Sequence, residues 1–550
     1  MLEKKIQFCE DDEVTQLRSS MEFCLNIPLV FRLPYTLKAF LSLTLLVATA
    51  GSTVTAIAQE KPEKSPEKES EQTIPVPAET TSVTHHELSV SGQAIHYTAT
   101  AGNLLINDEK GKPNASIFYV AYTKDGSDAA TRPVTFFYNG GPGAASIWLH
   151  MGSFGPVRVI TQSPEATGPA PFKYVPNDQT LLDKSDLVFV DAPLCGFSRA
   201  VGKGTIKDFA GVDQDVAAFH KFIARYITAN QRWGSPKFLF GESYGTPRSA
   251  ALVASLQDDG IEFNGVVLLS SILNYGIRIP GYDTESLGFL PSYAAIAWHY
   301  NKVPHSGSME EFVEQARQFD RTTYAPALAE GDRIPPAEFD AVAQKLASFT
   351  GLSVPYLKES KLRVSPFRFR KELLRGEERT LGRYDARFMG YDVDSAGETP
   401  GYDPSDTGIS GTYVGAFHDY LQRELKYAST ETYNLSGPGV NEAWDWKHRP
   451  AGGGPGAGRQ QMWPDTAIDL SDAMRKNPHL KVFSANGWFD LATPFYATEW
   501  DLSHMGLPPA LLGNVTFGYY PAGHMVYLNV DALKQMRTDL GGFYNSASKP

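Results

Sequence analysis

Residues 237–257 read KFLFGESYGTPRSAALVASLQ: a short apolar run, a Gly-Glu-Ser-Tyr-Gly turn, and a stretch of small and aliphatic residues suited to a helix. Small residues at 241 and 245 permit a turn too tight for side chains. Such a turn lifts the Ser243 hydroxyl above the end of a strand, with the N-terminus of the next helix facing the same point. The five-residue pattern alone is weak. Its position between a strand and a helix gives it weight.

Outward from this stretch, short apolar runs recur as VTFFY (134–138), LVFV (187–190), VVLLS (266–270), KVFS (481–484) and VTFGYY (515–520). Between two of them Val212, Val216, Phe219, Phe222, Ile223 and Tyr226 fall at helical spacing. Strand, amphipathic helix, strand is the grammar of an α/β chain with a mostly parallel sheet covered on both faces. Ahead of it, alternating stretches at 87–98 and 115–122, separated by the turn-rich 107–114, predict an antiparallel pair entering the sheet. Residues 281–450 interrupt the rhythm. Ser308 and Glu311 form a capping-box pattern opening a helix at 308–319, further helical windows lie at 337–349 and 412–425, and strand grammar is sparse. This segment is expected to be a helical cap inserted over the sheet's active edge, leaving 85–280 and 451–550 as the core.

The N-terminus has the order of an export signal. Arg32 and Lys38 flank the apolar stretch LKAFLSLTLLVATA (37–50), and Ala56-Ile-Ala58 offers small residues for cleavage. The apolar run is short for a transmembrane helix, so no stable span is expected after cleavage. The acidic run Glu10 to Glu13 sits oddly in such a signal and points to a start at Met21. Residues 1–58 are thus read as a signal peptide, and 59–84, rich in Pro, Glu, Lys and Ser, as a solvated tether. Cys195 then remains as the lone thiol, in an exported (periplasmic or secreted) protein held by packing.

The whole chain has 550 residues, a net charge of −12 and 42% hydrophobic residues, enough apolar content for a large core and against full disorder. Its acidic balance argues against nucleic acid as the main partner. Three cysteines exclude a disulfide scaffold, and His85-His86 have no accompanying ligand set, so neither a metal nor another cofactor is expected.

A serine nucleophile needs a base and an orienting acid, and an elbow-bearing α/β sheet supplies them in the order Ser, acid, His. Asp490, in SANGWFD just past KVFS, and His524, in PAGH just past VTFGYY, meet that order. Both lie beyond the carboxyl ends of expected strands, where ligands gather in open parallel sheets. An Asp after a strand is commonly a turn or a cap, and a lone His is commonly a core group; their order with the elbow favours catalysis. The glycine loop Asn139-Gly-Gly-Pro-Gly143 follows the first apolar strand. As an oxyanion loop it would offer the Gly141 N–H beside that of Tyr244; in isolation it reads equally as a tight turn.

Asn139-Gly-Gly-Pro-Gly143, Gly241-Glu-Ser-Tyr-Gly245 and Gly523-His-Met525, in this order, resemble the serine carboxypeptidase family of α/β-hydrolases. The Asp191-Ala-Pro…Gly196-Phe-Ser198 stretch is similar to a further family segment. The resemblance runs from about 88 to 545, with the insertion standing for the family's variable cap. It implies an α/β-hydrolase fold and the triad Ser243, Asp490 and His524. It also implies oxyanion donors Gly141 and Tyr244, and a site for the substrate's terminal carboxylate at Asn139, Gly140 and Glu242. Phe137, Ala144 and Ser153 stand where the family has a tryptophan, a half-cystine and a second acid, a pattern suited to a bacterial-type exported member without disulfides. The expected activity is release of C-terminal residues from peptides with a free terminal carboxylate. The alternatives are an esterase or other acyl hydrolase on the same triad, and a catalytically silent binding protein of the same fold. Arg383, Asp385 and Arg387 in LGRYDARF are read as a solvated, salt-bridged loop, with substrate contact as the other reading.

Overall fold

The apolar runs form strands because both faces of the sheet are covered, which removes any need for polar alternation. In the computed structural model, which describes residues 73–279, 281–453 and 456–549, these runs become β4 (Val134–Tyr138), β5 (Asp186–Val190), β6 (Lys237–Glu242), β7 (Gly265–Leu269), β8 (Lys481–Gly487) and β9 (Val515–Tyr520). Neighbouring side chains show the two-sided burial directly. Phe136 of β4 meets Tyr226 on one face, at 5.5 Å between ring centres. On the other face Thr135 bonds the Tyr544 hydroxyl at 2.9 Å, and Phe238, opposite Thr135, packs tilted against Tyr544 at 4.4 Å between ring centres.

Three strands precede them: β1 (Thr81–Val90), β2 (Gln93–Asn107) and β3 (Pro113–Lys124), joined antiparallel. The sheet order is β1-β2-β3-β5-β4-β6-β7-β8-β9, a ten-stranded sheet when the short Arg199–Ala200 strand on β3 is included. β5, β4, β6, β7, β8 and β9 run parallel. α1 (Ile147–Gly152) follows the glycine loop, and α2 (Val212–Ala229) realises the amphipathic spacing. α2 packs on α3 (Gly245–Asp258), and α3 packs on the helix Ala467–Lys476; the C-terminal helix Val530–Ala547 lies against β8 and β9. The expected α/β class with a mostly parallel, helix-flanked sheet is met.

Two boundaries differ from expectation. The stretch 87–98 is not one strand but the close of a hairpin, turned at Ser91 and Gly92 with φ of 50° and 79°. Residues 81–84, assigned to the tether, already belong to β1, so the ordered sheet begins earlier than the composition suggests. The signal reading, the start at Met21 and the tether up to 72 lie outside the described residues.

Within 281–450 the helices Asp283–His299, Met309–Phe319 and Pro336–Thr350 build an apolar cluster of their own. It joins the body through Trp488, Phe489, Leu491 and Phe495. The capping box forms as read: Ser308 N–H donates to Glu311 Oε2 at 2.9 Å and Glu311 N–H to Ser308 Oγ at 3.2 Å. The helix Ser410–Arg423 behaves differently. It packs on α1 and joins the main core, its Tyr420 hydroxyl 3.0 Å from that of Tyr122. The segment also holds a two-stranded antiparallel hairpin, Arg379–Leu381 with Met389–Tyr391, whose loop is residues 382–388. Among the described residues no helix is long and apolar enough to cross a membrane.

Candidate active site

Ser243 leaves β6 with φ of 59°, a left-handed conformation that costs a non-glycine residue energy and is characteristic of functional turns. Its N–H donates to Leu269 O at 3.0 Å, and its C=O accepts from the Thr246 N–H and hydroxyl, which starts α3 at once. Only glycine fits at 241, because a Cβ there would lie 2.1 Å from Gly245 O.

Asp490 and His524 emerge from the ends of β8 and β9 and meet: His524 Nδ1 lies 2.8 Å from Asp490 Oδ2. Both side chains are almost fully buried. Asp490 Oδ1 accepts the N–H groups of Ala492 (2.7 Å) and Thr493 (2.9 Å), and Oδ2 accepts the Thr493 hydroxyl at 2.7 Å. Burial by itself would lower the His524 pKa. The charge and hydrogen bond of Asp490, joined by the charge of Glu242, outweigh it and hold the imidazole above its ordinary value. Ser243, His524, Thr493, Glu242, Asn139, Gly140 and Gly141 all line one cleft of about 550 Å³. Its sides carry Trp148, Tyr275, Trp446, Arg383 and Tyr384.

The glycine loop closes on the elbow. A Cβ at Gly140 would lie 2.2 Å from Tyr244 N and 2.7 Å from Gly245 N, so the backbones touch there without room for a side chain. Neither the Gly141 nor the Tyr244 N–H donates to another group of the chain among the described residues. Asn139 is fixed from several sides: its Oδ1 accepts from Leu149 N–H at 2.9 Å and its C=O from Arg248 Nη1 at 2.8 Å. Glu242 is buried beside it, and Tyr527 donates to its Oε2 at 2.8 Å. Burial pushes the Glu242 carboxyl up to about 7, against the opposing charge of His524 and the hydrogen bonds from Tyr527 and Asn139. Near neutral pH this group is therefore poised between acid and carboxylate.

Several residues that shape the site escaped the sequence reading. Thr493 Oγ1 touches Asp490 and lies 3.0 Å from His524 Nδ1 and 2.9 Å from Ser270 O; Ser270 Oγ in turn donates to His524 O at 2.6 Å. Arg248, fully buried, forks onto Asp215 at 2.6 and 3.1 Å while holding Asn139. A charged residue within the small, apolar run of α3 was the visible signal for it. The 383–387 loop corrects an expectation. It is not solvated: the Asp385 and Arg387 side chains pair at 2.6 Å and are 2% and 7% exposed. His524 N–H donates to Tyr384 O at 2.5 Å, Gly523 N–H to Asp385 Oδ2 at 3.2 Å, and Arg387 Nη1 to Pro521 O at 2.7 Å. The loop thus buttresses the turn that carries His524. Phe137 is a core residue stacked between Phe189 and Phe240, and Ser153 Oγ is spent on Leu149 O. Cys195 is buried with its thiol pushed up to about 12 by burial, and His86 stacks on Tyr97 at the sheet edge.

The serine carboxypeptidase family model matches residues 92–307. The pheromone-processing carboxypeptidase KEX1 of Cryptococcus gattii is 29% identical over 180 residues, 32% of this chain and 25% of that protein. Serine carboxypeptidase-like 33 of Arabidopsis thaliana is 22% identical over 213 residues, 38% of this chain and 42% of that protein. The matched part thus spans between a quarter and about two-fifths of these relatives' own length. Among solved structures, the proline iminopeptidase of Mycobacterium smegmatis is similar at 12% identity and a TM-score of 0.34, over 81% of this chain and 98% of that one. The family match includes the glycine loop, the Asp191 segment and the serine elbow, and stops short of the segment that carries Asp490 and His524.

Proposed function

We propose that this chain is an exported serine-type carboxypeptidase that removes C-terminal residues from peptides through an acyl-enzyme. The observation that carries the reading is the 2.8 Å contact between His524 and Asp490 in the cleft that Ser243 also lines. Ser243 Oγ attacks the last peptide carbonyl carbon, and its proton passes to His524 Nε2. Asp490, accepting from Nδ1–H, fixes the tautomer and stabilises the imidazolium. The N–H groups of Gly141 and Tyr244 receive the oxyanion. Collapse of the tetrahedral intermediate breaks the C–N bond, and His524 returns the proton to the leaving amine. Water, deprotonated by the same imidazole, then cleaves the ester and restores the serine. Asn139, Gly140 and Glu242 hold the terminal carboxylate, which selects the last residue. Export rests on the apolar and small-residue pattern of 37–58. No step calls for a metal or an organic cofactor.

Mass spectrometry of a peptide mixture after incubation tests this. One-residue ladders from the carboxyl end, with a fluorophosphonate probe labelling Ser243, are the expected result. Unchanged peptides with hydrolysis of short acyl esters would replace it with the esterase reading, and an unlabelled Ser243 in folded protein with the silent one.

A further inference from the structure

The 382–388 loop fixes a backbone and leaves one side chain unspent. Arg383 N–H donates to Asp403 Oδ1 at 3.0 Å, and Arg383 C=O accepts from Leu491 N–H at 3.1 Å. The next residue, Tyr384, accepts the His524 N–H with its C=O, and its ring lies tilted against the imidazole at 5.3 Å between centres. The Arg383 backbone is therefore tied to the same turn that carries the base. Arg383 lines the cleft with its guanidinium 5.4 Å from the centre of the Tyr384 ring, yet it donates no hydrogen bond and forms no ion pair among the described residues. Arg387, four residues on, is fully engaged by Asp385 and Pro521. The nearby Asp403 uses its Oδ1 to accept the backbone N–H groups of Arg383 and Ser405 and the Ser405 hydroxyl, and it pairs with Arg370 at 3.8 Å.

The other charge-bearing groups of the cleft are His524, Glu242 and Asp406. Burial raises both carboxyls, and each accepts from a hydroxyl, Glu242 from Tyr527 and Asp406 from Ser410. Arg383 is thus the permanent charge of the cleft wall, with no carboxylate paired to it among the described residues. A planar guanidinium matches a carboxylate with two parallel hydrogen bonds. Since Asn139, Gly140 and Glu242 already account for the terminal carboxylate, Arg383 is available for a second one.

We propose that Arg383 selects acidic peptides, its guanidinium pairing with the side-chain carboxylate of an Asp or Glu next to the scissile bond. This rests on the carboxypeptidase reading for the substrate being a peptide and for its terminal carboxylate lying at Asn139, Gly140 and Glu242. The experiment compares N-blocked dipeptides that differ by Glu against Gln, placed in turn on each side of the bond. For wild type, kcat/KM for Glu should exceed that for Gln by about tenfold at one of the two positions. The ratio should shrink as salt is raised, fall to about one in Arg383→Gln, and recover in part in Arg383→Lys. The same ratio read as Kd on Ser243→Ala protein needs no turnover, so a wild-type protein that leaves peptides uncut while the Glu preference in Kd is kept would sink the carboxypeptidase reading and spare this one. A wild-type ratio near one overturns the proposal, as does a ratio that survives Arg383→Gln. So does an Arg383→Gln loss equal for Glu and Gln and abolished by C-terminal amidation, which would assign Arg383 to the terminal carboxylate.

Discussion

Replacing Glu242 by Gln should turn a pH-dependent KM into a flat one. Glu242 is buried, bonded at 2.8 Å by Tyr527, and its carboxyl is raised from an ordinary 4.5 to about 7. A substrate carboxylate beside it is accepted when Glu242 carries its proton and repelled when it does not. The protonated share falls from about nine-tenths near pH 6 to about one-tenth near pH 8, so KM for an N-blocked dipeptide should rise about tenfold across that span. Gln stays neutral, and its KM should not move. The same shift acts on folding. Between the ordinary and the raised value the folded chain keeps a proton that the unfolded chain has lost, so stability falls as pH rises through that window. The loss is about 3 kcal/mol once both states are ionised. Glu242→Gln should remove that loss, visible as a higher urea midpoint near pH 8 than wild type and little gain near pH 4. A C-terminally amidated substrate serves as control: its KM should lack the alkaline rise. Its kcat/KM should climb with pH as His524 becomes neutral, with a midpoint above the 6.5 of an ordinary histidine. A wild-type KM that stays level from about pH 4 to about pH 8, or a Gln variant with the wild-type profile, would refute the reasoning.

Ser243→Ala should lower kcat by at least ~10³-fold with substrate binding mostly intact, measured by single-turnover rates and calorimetry; near-wild-type rates would remove the nucleophile. Gly140→Ala would push a methyl to within 2.2 Å of Tyr244 N. It should cost about a hundredfold or more in kcat while circular dichroism stays unchanged, and full activity would show that this backbone approach is dispensable. Asp385→Asn leaves the buried Arg387 without its counter-charge and should destabilise by about 3–5 kcal/mol in urea unfolding. A shift within about 0.5 kcal/mol would mean the pair contributes no more than a surface contact.

The parallel strands were legible because their burial is two-sided: 134–138 and 265–269 are mostly apolar and buried at every position. The α2 and 308–319 helices were legible from local periodicity and a local cap. The β1–β2 turn was not, since Ser91-Gly92 lacks the Asn or Asp that usually marks a tight hairpin. Strand order, with β5 between β3 and β4, is a tertiary choice on which spacing is silent. At the site, Ser243, Asp490 and His524 stood out because each closes a strand with a recognisable turn. Thr493, Ser270 and Arg248 did not, since their partners lie far along the chain: Thr493 touches Ser270 O across 223 residues, and Arg248 reaches Asn139 across 109. The 383–387 loop shows the same blindness. Two arginines around an aspartate look solvent-loving until the turn at 521–524 is laid over them.

The fastening of His524 to Tyr384 and Asp385 bears on how such a protein can be taken apart or diversified. The hairpin loop belongs to the inserted segment, while the imidazole belongs to the sheet, so grafting a foreign lid would also replace the anchor of the proton shuttle. Evolution of new selectivity is then channelled: Arg383 is free to vary, whereas its immediate neighbours must be inherited as a set.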